Sequence, residues 1–184
     1  MCIRDRRRSQ SATRVKPVHP SAMQMRGNLP LSRGPFVGRT DELEHMSAWA
    51  ESADARVLSI VGLGGIGKSR LALEFGHRQS DRWTGGIWRI DASAVRVESD
   101  LQRALGAALG LYLDSNEPLT EIARHLNSRN GCLIIFDNAE EARAVLAPSI
   151  VGLLERVPAL RVLVTTREEF NARWERILSV GELD

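Results

Sequence analysis

The chain has 184 residues, 43% of them apolar, which is enough to bury one sizeable core rather than two. Its cysteines, Cys2 and Cys132, support neither a disulfide framework nor a zinc site, so a reducing, cytoplasmic setting is expected. No apolar stretch approaches the roughly 20 residues that span a bilayer, and no secretory signal pattern opens the chain.

The formal net charge of +2 hides an uneven distribution of charge. Residues 1–27 hold seven basic side chains against Asp5 alone, whereas the remainder carries 18 basic and 22 acidic groups. Because the basic segment has almost no apolar pattern, it favours a disordered tail or a start of non-native origin over an arm that grips phosphates. The domain proper, residues 28–184, is mildly acidic and has no electrostatic footprint for nucleic acid.

The first part of this domain is predicted to be a loop followed by a helix. Residues 28–39 (NLPLSRGPFVGR) are rich in proline and glycine, which is typical of a loop. Thr40 is the predicted N-cap of a helix that carries Asp41 and Glu42 in its first turn and runs to about residue 52.

Short, continuously apolar strands then alternate with helical stretches. This alternation predicts a parallel sheet covered on both faces, which is a three-layer α/β fold. The predicted strands cover residues 57–61, 86–91, 132–136, 161–165 and 177–180. The predicted helices cover residues 68–79, 98–109, 119–128 and 140–156, the last of them broken near Pro148.

Residues 62–69 (GLGGIGKS) fit the phosphate-binding pattern G-x-x-x-x-G-K-[ST], directly after a predicted strand and at the start of a predicted helix. The glycines let successive N–H groups face a phosphate, and the helix start adds the positive end of its dipole. Lys68 is expected to bridge phosphate oxygens, and Ser69 to offer its hydroxyl to Mg²⁺. The pattern predicts binding of a nucleoside triphosphate with Mg²⁺, with ATP as the first choice. The predicted contacts are Gly62, Gly64, Gly65, Ile66, Gly67, Lys68, Ser69 and Arg70.

A second feature is the apolar strand LIIFDN, which ends in Asp137 and Asn138. In P-loop proteins an aspartate at this place faces the phosphates and holds Mg²⁺, so Asp137 is the predicted metal-binding carboxylate. The next position often carries a carboxylate that polarises the attacking water. Here it is an amide, which cannot take a proton, so hydrolysis is less firmly predicted than binding. Glu140 is an alternative base, or a solvated residue of the next helix.

A third strand, RVLVTTR, ends in two threonines and Arg167. A guanidinium at the carboxyl edge of the sheet suits the oxygens of a γ-phosphate, so Arg167 is the predicted sensor of that phosphate. The alternative is a surface arginine that caps the strand. Lys68, Asp137 and Arg167 are thus the candidate catalytic residues.

Two other nucleotide-binding classes are excluded by missing motifs. The chain has no N-K-x-D with which to read guanine, and no LSGGQ of a transporter ATPase. A small-molecule P-loop kinase stays open, because the loop and strand alone do not distinguish phosphoryl transfer to a substrate from transfer to water. A module that holds ADP without turnover also stays open, and Asn138 favours it.

Four segments in order, GPFVGR (34–39), GLGGIGKSRLALEFG (62–76), LIIFDNAE (133–140) and LRVLVTTRE (160–168), resemble the NB-ARC ATPases of the STAND class. The resemblance spans residues 28–184. More narrowly, the chain is similar to the nucleotide-binding domain of large bacterial transcriptional regulators, including LuxR-type and antibiotic-regulatory ones. In that branch an asparagine after the aspartate is usual.

The resemblance implies several further properties. Phe36, Val37, Gly38 and Arg39 would border adenine and ribose, and Arg167 would be the first sensor arginine. The strand order would be 5-1-4-3-2, with the phosphate site at the carboxyl edge of the sheet. Such proteins are AAA+-like switches with weak ATPase activity that hold ADP as a monomer and self-associate after exchange for ATP. The helical and winged-helix subdomains of the family are expected to lie beyond residue 184.

Overall fold

The computed structural model describes residues 27–31, 34–171 and 173–182, so the predicted basic tail, apart from Gly27, lies outside the described residues. Five strands in this part of the chain form one parallel sheet: β1 (Val57–Val61), β2 (Gly86–Asp91), β3 (Cys132–Asp137), β4 (Arg161–Thr166) and β5 (Glu175–Ser179). Their order across the sheet is β2-β3-β4-β1-β5, and every pairing is parallel. The predicted order 5-1-4-3-2 is confirmed.

Helices cover both faces of the sheet, which confirms the three-layer α/β class. Within the described ranges the α-helices are α1 (Thr40–Glu51), α2 (Lys68–Arg78), α3 (Glu98–Leu109), α4 (Pro118–Asn127) and α5 (Arg143–Arg156), and a 3₁₀ turn follows α2 at Ser80–Arg82. The first two helices pack on one face and the other three on the opposite face. No helix among the described residues is long and apolar enough to cross a bilayer.

The strands are continuously apolar because both of their faces are buried. Along β3, Leu133 and Ile135 pack in the core under α1 and α2, whereas Ile134 and Phe136 pack in the core under α3, α4 and α5. Successive side chains of a strand point to opposite faces, so this alternation is the expected geometry. It also places Asp137, two residues after Ile135, on the side of α2.

Two local predictions are wrong. The N-cap of α1 is Arg39 rather than Thr40, because the Arg39 carbonyl accepts the first helical hydrogen bond, from the Leu43 N–H at 3.1 Å. Helix α5 starts at Arg143 and passes through Pro148 without a break. A proline removes one backbone donor, and buried apolar residues on both sides of this position hold the helix against the α3 and α4 layer.

The free edge of β2 is covered by residues that the sequence predicts only as loop. Gly27 forms an isolated parallel bridge with Ile87. The side chain of Asn28 then pairs with the backbone of Arg89, since its Oδ1 accepts from the Arg89 N–H at 2.6 Å and its Nδ2 donates to the Arg89 carbonyl at 2.9 Å. The side-chain amide thus replaces a neighbouring strand at this one residue.

Candidate functional site

The loop between β1 and α2 has the backbone conformation that a phosphate-binding loop requires. Gly65 and Gly67 have φ of 78° and 98°, in the left-handed region that favours glycine. Gly67 is the N-cap of α2, so the first turn of the helix faces the loop. Alternation of left-handed and ordinary residues turns successive N–H groups to the same side, which makes an anion-binding concavity. The partly buried side chain of Ile66 packs on the core and anchors the loop.

The ammonium group of Lys68 lies inside this loop. Its Nζ donates to the carbonyls of Gly62 and Leu63 at 2.8 and 2.9 Å. Burial lowers the pKa of Lys68 below its usual range; Arg167 acts in the same direction, and the carboxylates of Glu140 and Asp137 oppose it. The lysine is therefore held by loop carbonyls at the place where its charge can meet a phosphate.

Asp137 is fully buried at the carboxyl end of β3 and accepts four hydrogen bonds. Its Oδ1 accepts from the hydroxyls of Ser69 and Thr165, both at 2.6 Å. Its Oδ2 accepts from Nε and Nη2 of Arg89 at 3.1 and 2.7 Å. A carboxylate offers about four lone-pair positions, so these four donors use all of them. Asn138 supports the arrangement, because its N–H donates to the Thr165 hydroxyl at 3.0 Å.

The Ser69 and Asp137 pair fits a magnesium ion that arrives with a nucleotide. Hydroxyl and carboxylate oxygens are hard ligands of the type that Mg²⁺ prefers, and these two atoms lie 2.6 Å apart at the start of α2. Among the described residues no group of three or more His, Cys, Asp or Glu side chains is placed to hold a metal. Phosphate oxygens and water would therefore complete the ligand set.

Arg39 links the loop before α1 to the phosphate loop. The Arg39 guanidinium is almost fully buried and donates to the carbonyls of Gly181 at 2.6 Å and Ile66 at 3.3 Å. It also pairs with Glu42 at 2.8 Å, and this hydrogen bond is the main cause that lowers the pKa of Glu42. Arg39 thus fastens α1, the phosphate loop and the chain after β5 to one another.

The remaining residues of the predicted adenine and ribose border lie beside this link. Phe36 is partly buried on the core, with the guanidinium of Arg70 5.9 Å from its ring centre. Arg70 also donates to the Pro35 carbonyl, which joins the first turn of α2 to the loop. Val37 is 77% exposed, so its side chain stands free of the core at this border. Gly38, at φ 75°, is in the left-handed region.

Arg167 lies over the phosphate loop on the side of β4. A methyl group added at Gly64 would come within 3.1 Å of the Arg167 Nη2 atom, so the guanidinium is close above the loop backbone. The Nε atom of Arg167 is 3.7 Å from a carboxylate oxygen of Glu140. Both side chains border a cleft of about 360 Å³ that Thr166 also lines. Arg167, the predicted γ-phosphate sensor, and Glu140, the alternative base, are thus neighbours in this cleft.

Arg89 and Thr165 contact Asp137 although neither is a predicted site residue. A signal for Arg89 exists, because a charged residue in the middle of the buried strand GIWRID needs a partner. Its partner could not be named from sequence, since Asp137 belongs to another strand and lies 48 residues away. The register of β2 and β3, in which Arg89 pairs with Ile135, brings the two charges to the same face.

Comparison with known proteins agrees with this geometry. The model of the NB-ARC domain family matches residues 39–173. The chain belongs to this family. The matched residues begin at Arg39 and include the phosphate loop, Asp137 and Arg167.

Curated relatives of this NB-ARC domain include regulators. The regulatory protein AfsR of Streptomyces coelicolor is 30% identical over 149 residues, covering 71% of this chain and 15% of AfsR. A putative HTH-type transcriptional regulator of Mycobacterium tuberculosis is 27% identical over 123 residues, 67% of this chain and 14% of the regulator. An uncharacterized protein of the same species is 29% identical over 140 residues, 76% of this chain. The chain spans about a third or less of the length of these relatives.

Solved structures show the same fold at low identity. A STAND protein with a tetratricopeptide repeat sensor from Pyrococcus horikoshii has a TM-score of 0.54 and 20% identity, covering 81% of this chain and 24% of that one. The Drosophila origin recognition complex bound to DNA contains a chain with a TM-score of 0.64 and 18% identity, covering 78% of this chain and 43% of that one. The NB-ARC domain therefore has the fold of P-loop ATPases.

Proposed function

We propose that residues 28–184 are the Mg²⁺-dependent ATP- and ADP-binding domain of a signal-transduction switch. The single observation that carries the proposal is the phosphate loop, in which left-handed Gly65 and Gly67 lead into α2 and Lys68 lies inside the loop. An ammonium has three N–H donors, and the loop carbonyls take two of them, which leaves one for a phosphate oxygen. Triphosphate charge would be met by this lysine, the loop N–H groups and the dipole of α2.

The adenosine end of the nucleotide is assigned to the segment before α1. Phe36, Gly38 and Arg39 lie next to the phosphate loop through the contact from Arg39 to the Ile66 carbonyl. Because the Arg39 guanidinium is occupied by protein carbonyls and Glu42, its role is to fix this border rather than to donate to the base. Phe36 and the exposed Val37 then supply the apolar surface for a ring.

Magnesium would be held at Ser69 and Asp137, and it would supply charge that screens the phosphate oxygens. Thr165 and Asn138 keep the Asp137 carboxylate in place. Arg167 is assigned to the γ-phosphate, which it approaches from above Gly64. These residues would bind and orient the nucleotide, but none of them is a general base that could activate water.

Hydrolysis by this domain is expected to be slow. The residue after Asp137 is Asn138, whose amide cannot accept a proton from water. Glu140 pairs with Arg167 at 3.7 Å, so its charge is partly committed to that arginine. The same feature favours the second candidate function, a module that retains ADP without turnover. Phosphate release by the wild type separates the two, since release above the buffer background indicates hydrolysis and release at the background indicates the module without turnover. Equal, measurable rates in the wild type and Asp137→Ala would exclude Asp137 from catalysis.

The domain is proposed to be part of a longer regulator of transcription. This rests on AfsR and the putative HTH-type regulator, in which the matched segment is only about 15% of the length. Self-association after exchange of ADP for ATP would belong to that longer protein, and the mildly acidic domain itself is not assigned to nucleic acid.

Equilibrium binding of ATP, ADP and GTP to the chain, measured by calorimetry, tests the proposal. Binding of both adenine nucleotides with weaker binding of GTP is expected. Absence of adenine nucleotide binding would overturn it.

A further inference from the structure

Arg89 is a cation that shares the proposed magnesium-binding carboxylate. Its guanidinium Nη2 atom is 2.7 Å from Asp137 Oδ2, and its Nε atom is 3.1 Å from the same oxygen. Asp137 is fully buried and the Arg89 side chain is 28% exposed, so water screens the pair only weakly. The pairing is built into the sheet, because β2 and β3 run side by side and place both residues on the face of α2.

A second contact fixes the position of Arg89. The side-chain amide of Asn28 makes two hydrogen bonds with the Arg89 backbone, at 2.6 and 2.9 Å, at the otherwise free edge of β2. The guanidinium therefore extends from a backbone that is held on both sides. Such a side chain loses less freedom on pairing than one on a mobile segment.

We propose that Arg89 is a built-in competitor of Mg²⁺ for Asp137, and that it weakens the coupling between magnesium and nucleotide. The proposal rests on the proposed function, since it concerns the metal that accompanies the nucleotide. Ser69 can bind a metal through its hydroxyl oxygen and still donate to Asp137. Arg89 is different, because its two N–H groups use the acceptor positions of Oδ2 that the metal or its hydration water would need.

Charge acts in the same direction as this competition. The positive guanidinium neutralises Asp137, so a divalent ion at Ser69 meets less negative potential and is repelled by a neighbouring cation. Linkage makes the effect reciprocal: if bound nucleotide raises the affinity for Mg²⁺ less, then Mg²⁺ raises the affinity for nucleotide less, by the same factor. Arg89 is thus a positioning residue that sets how strongly the site depends on magnesium.

The test is the ratio of ADP dissociation constants in EDTA and in saturating Mg²⁺, measured by calorimetry on the full chain. Arg89→Met keeps most of the side-chain length and removes the charge, and its ratio should exceed that of the wild type by about tenfold or more. Arg103→Met is the matched control, because it removes the same charge from α3 on the opposite face of the sheet and should leave the ratio unchanged.

Two further variants separate charge from folding. Arg89→Lys keeps the charge, so its ratio should stay nearer to that of the wild type than the ratio of the uncharged Arg89→Gln does. Arg89→Gln also serves in place of Arg89→Met if Arg89→Met does not fold. An unchanged or smaller ratio in the uncharged variants overturns the inference, and so does a larger ratio in Arg89→Lys than in Arg89→Gln. If the wild type binds ADP in neither condition, the nucleotide-binding proposal itself fails. These outcomes distinguish the two proposals.

Discussion

The first glycine of the phosphate loop is required by a close approach of two backbones. A Cβ atom at Gly62 would stand 2.5 Å from the carbonyl oxygen of Val180 and 3.4 Å from the side chain of Ile66. The Val180 residue is fixed, because its N–H donates to the Val61 carbonyl at 2.7 Å as the chain leaves β5. Rotation of a side chain cannot relieve this contact, so Gly62→Ala must move either the loop or the chain after β5.

The loss of stability expected for Gly62→Ala depends on which atom the new Cβ contacts, here the backbone carbonyl oxygen of Val180. Overpacking costs about 1 to 3 kcal/mol, and a clash with hydrogen-bonded backbone belongs at the upper end, about 2 to 3 kcal/mol. For a chain of this size that corresponds to a loss of about 5–10 °C in melting temperature. Gly64→Ala is the matched control in the same loop, since it meets only the movable Arg167 side chain at 3.1 Å. Its cost should stay within about 0.5 kcal/mol.

Thermal unfolding in EDTA without nucleotide, followed by circular dichroism, measures both variants in the absence of any ligand effect. The expected order of stability is wild type and Gly64→Ala together, with Gly62→Ala well below them. Equal melting temperatures for Gly62→Ala and Gly64→Ala would refute the close contact between the loop and the residue after β5.

Two further predictions concern the segments that flank the site. The lowered pKa of Glu42 means that its pair with Arg39 stabilises the fold above the ordinary value of 4.5 and that this contribution is lost as the pH falls through the folded-state value. Urea unfolding should therefore give Glu42→Gln a lower free energy of unfolding than the wild type at neutral pH, and this difference should disappear in acid. A difference that does not change with pH would contradict a stabilising pair between Arg39 and Glu42. Asn28→Ala removes two hydrogen bonds to the Arg89 backbone and should cost about 1 kcal/mol. The same change at Asn116, in the exposed loop before α4, should cost less, and equal losses would argue against the edge contact.

Much of the fold could be predicted because the strands are buried on both faces. Continuous apolar runs between glycine-rich or polar residues predicted β1 and β2 with the bounds that the structure has, and the predicted helical stretch of α3 also has the observed bounds. The prediction for β5 is shifted, covering 177–180 instead of Glu175–Ser179. Among the residues that the structure describes, this strand pairs with β1 alone, at the edge of the sheet, and it is largely exposed, so its sequence lacks the continuous apolar signal.

Proline and left-handed residues account for the local errors. Pro148 is a helix-breaking signal in sequence, but the buried side chains around it decide the conformation of α5. Arg39 has a φ of 61°, which is uncommon for a residue with a side chain, and three contacts of its guanidinium hold it there. Such tertiary contacts join residues up to 142 positions apart, so no local pattern predicts them.

The candidate site also has one part that the sequence predicts and one part that depends on tertiary structure. The phosphate loop and Asp137 were predicted because their spacing along the chain carries the chemistry, and the structure brings Ser69 and Asp137 together at 2.6 Å. The pairing of Asp137 with Arg89 depends on which strands are neighbours and in which register. Sequence indicates that Arg89, a charged residue inside a mostly apolar strand, needs a partner, and only the sheet identifies that partner.

The most direct test of the proposed nucleotide site is ADP and ATP binding by Lys68→Ala, measured by calorimetry with Mg²⁺. Loss of the charge-assisted contacts of Lys68 should weaken binding by about 100-fold or more. Arg103→Ala is the control, because Arg103 is an exposed positive residue of α3, on the opposite face of the sheet. Unchanged affinity in the control with loss in Lys68→Ala is the predicted result. Wild-type affinity in a folded Lys68→Ala protein would contradict the assignment of the phosphate loop.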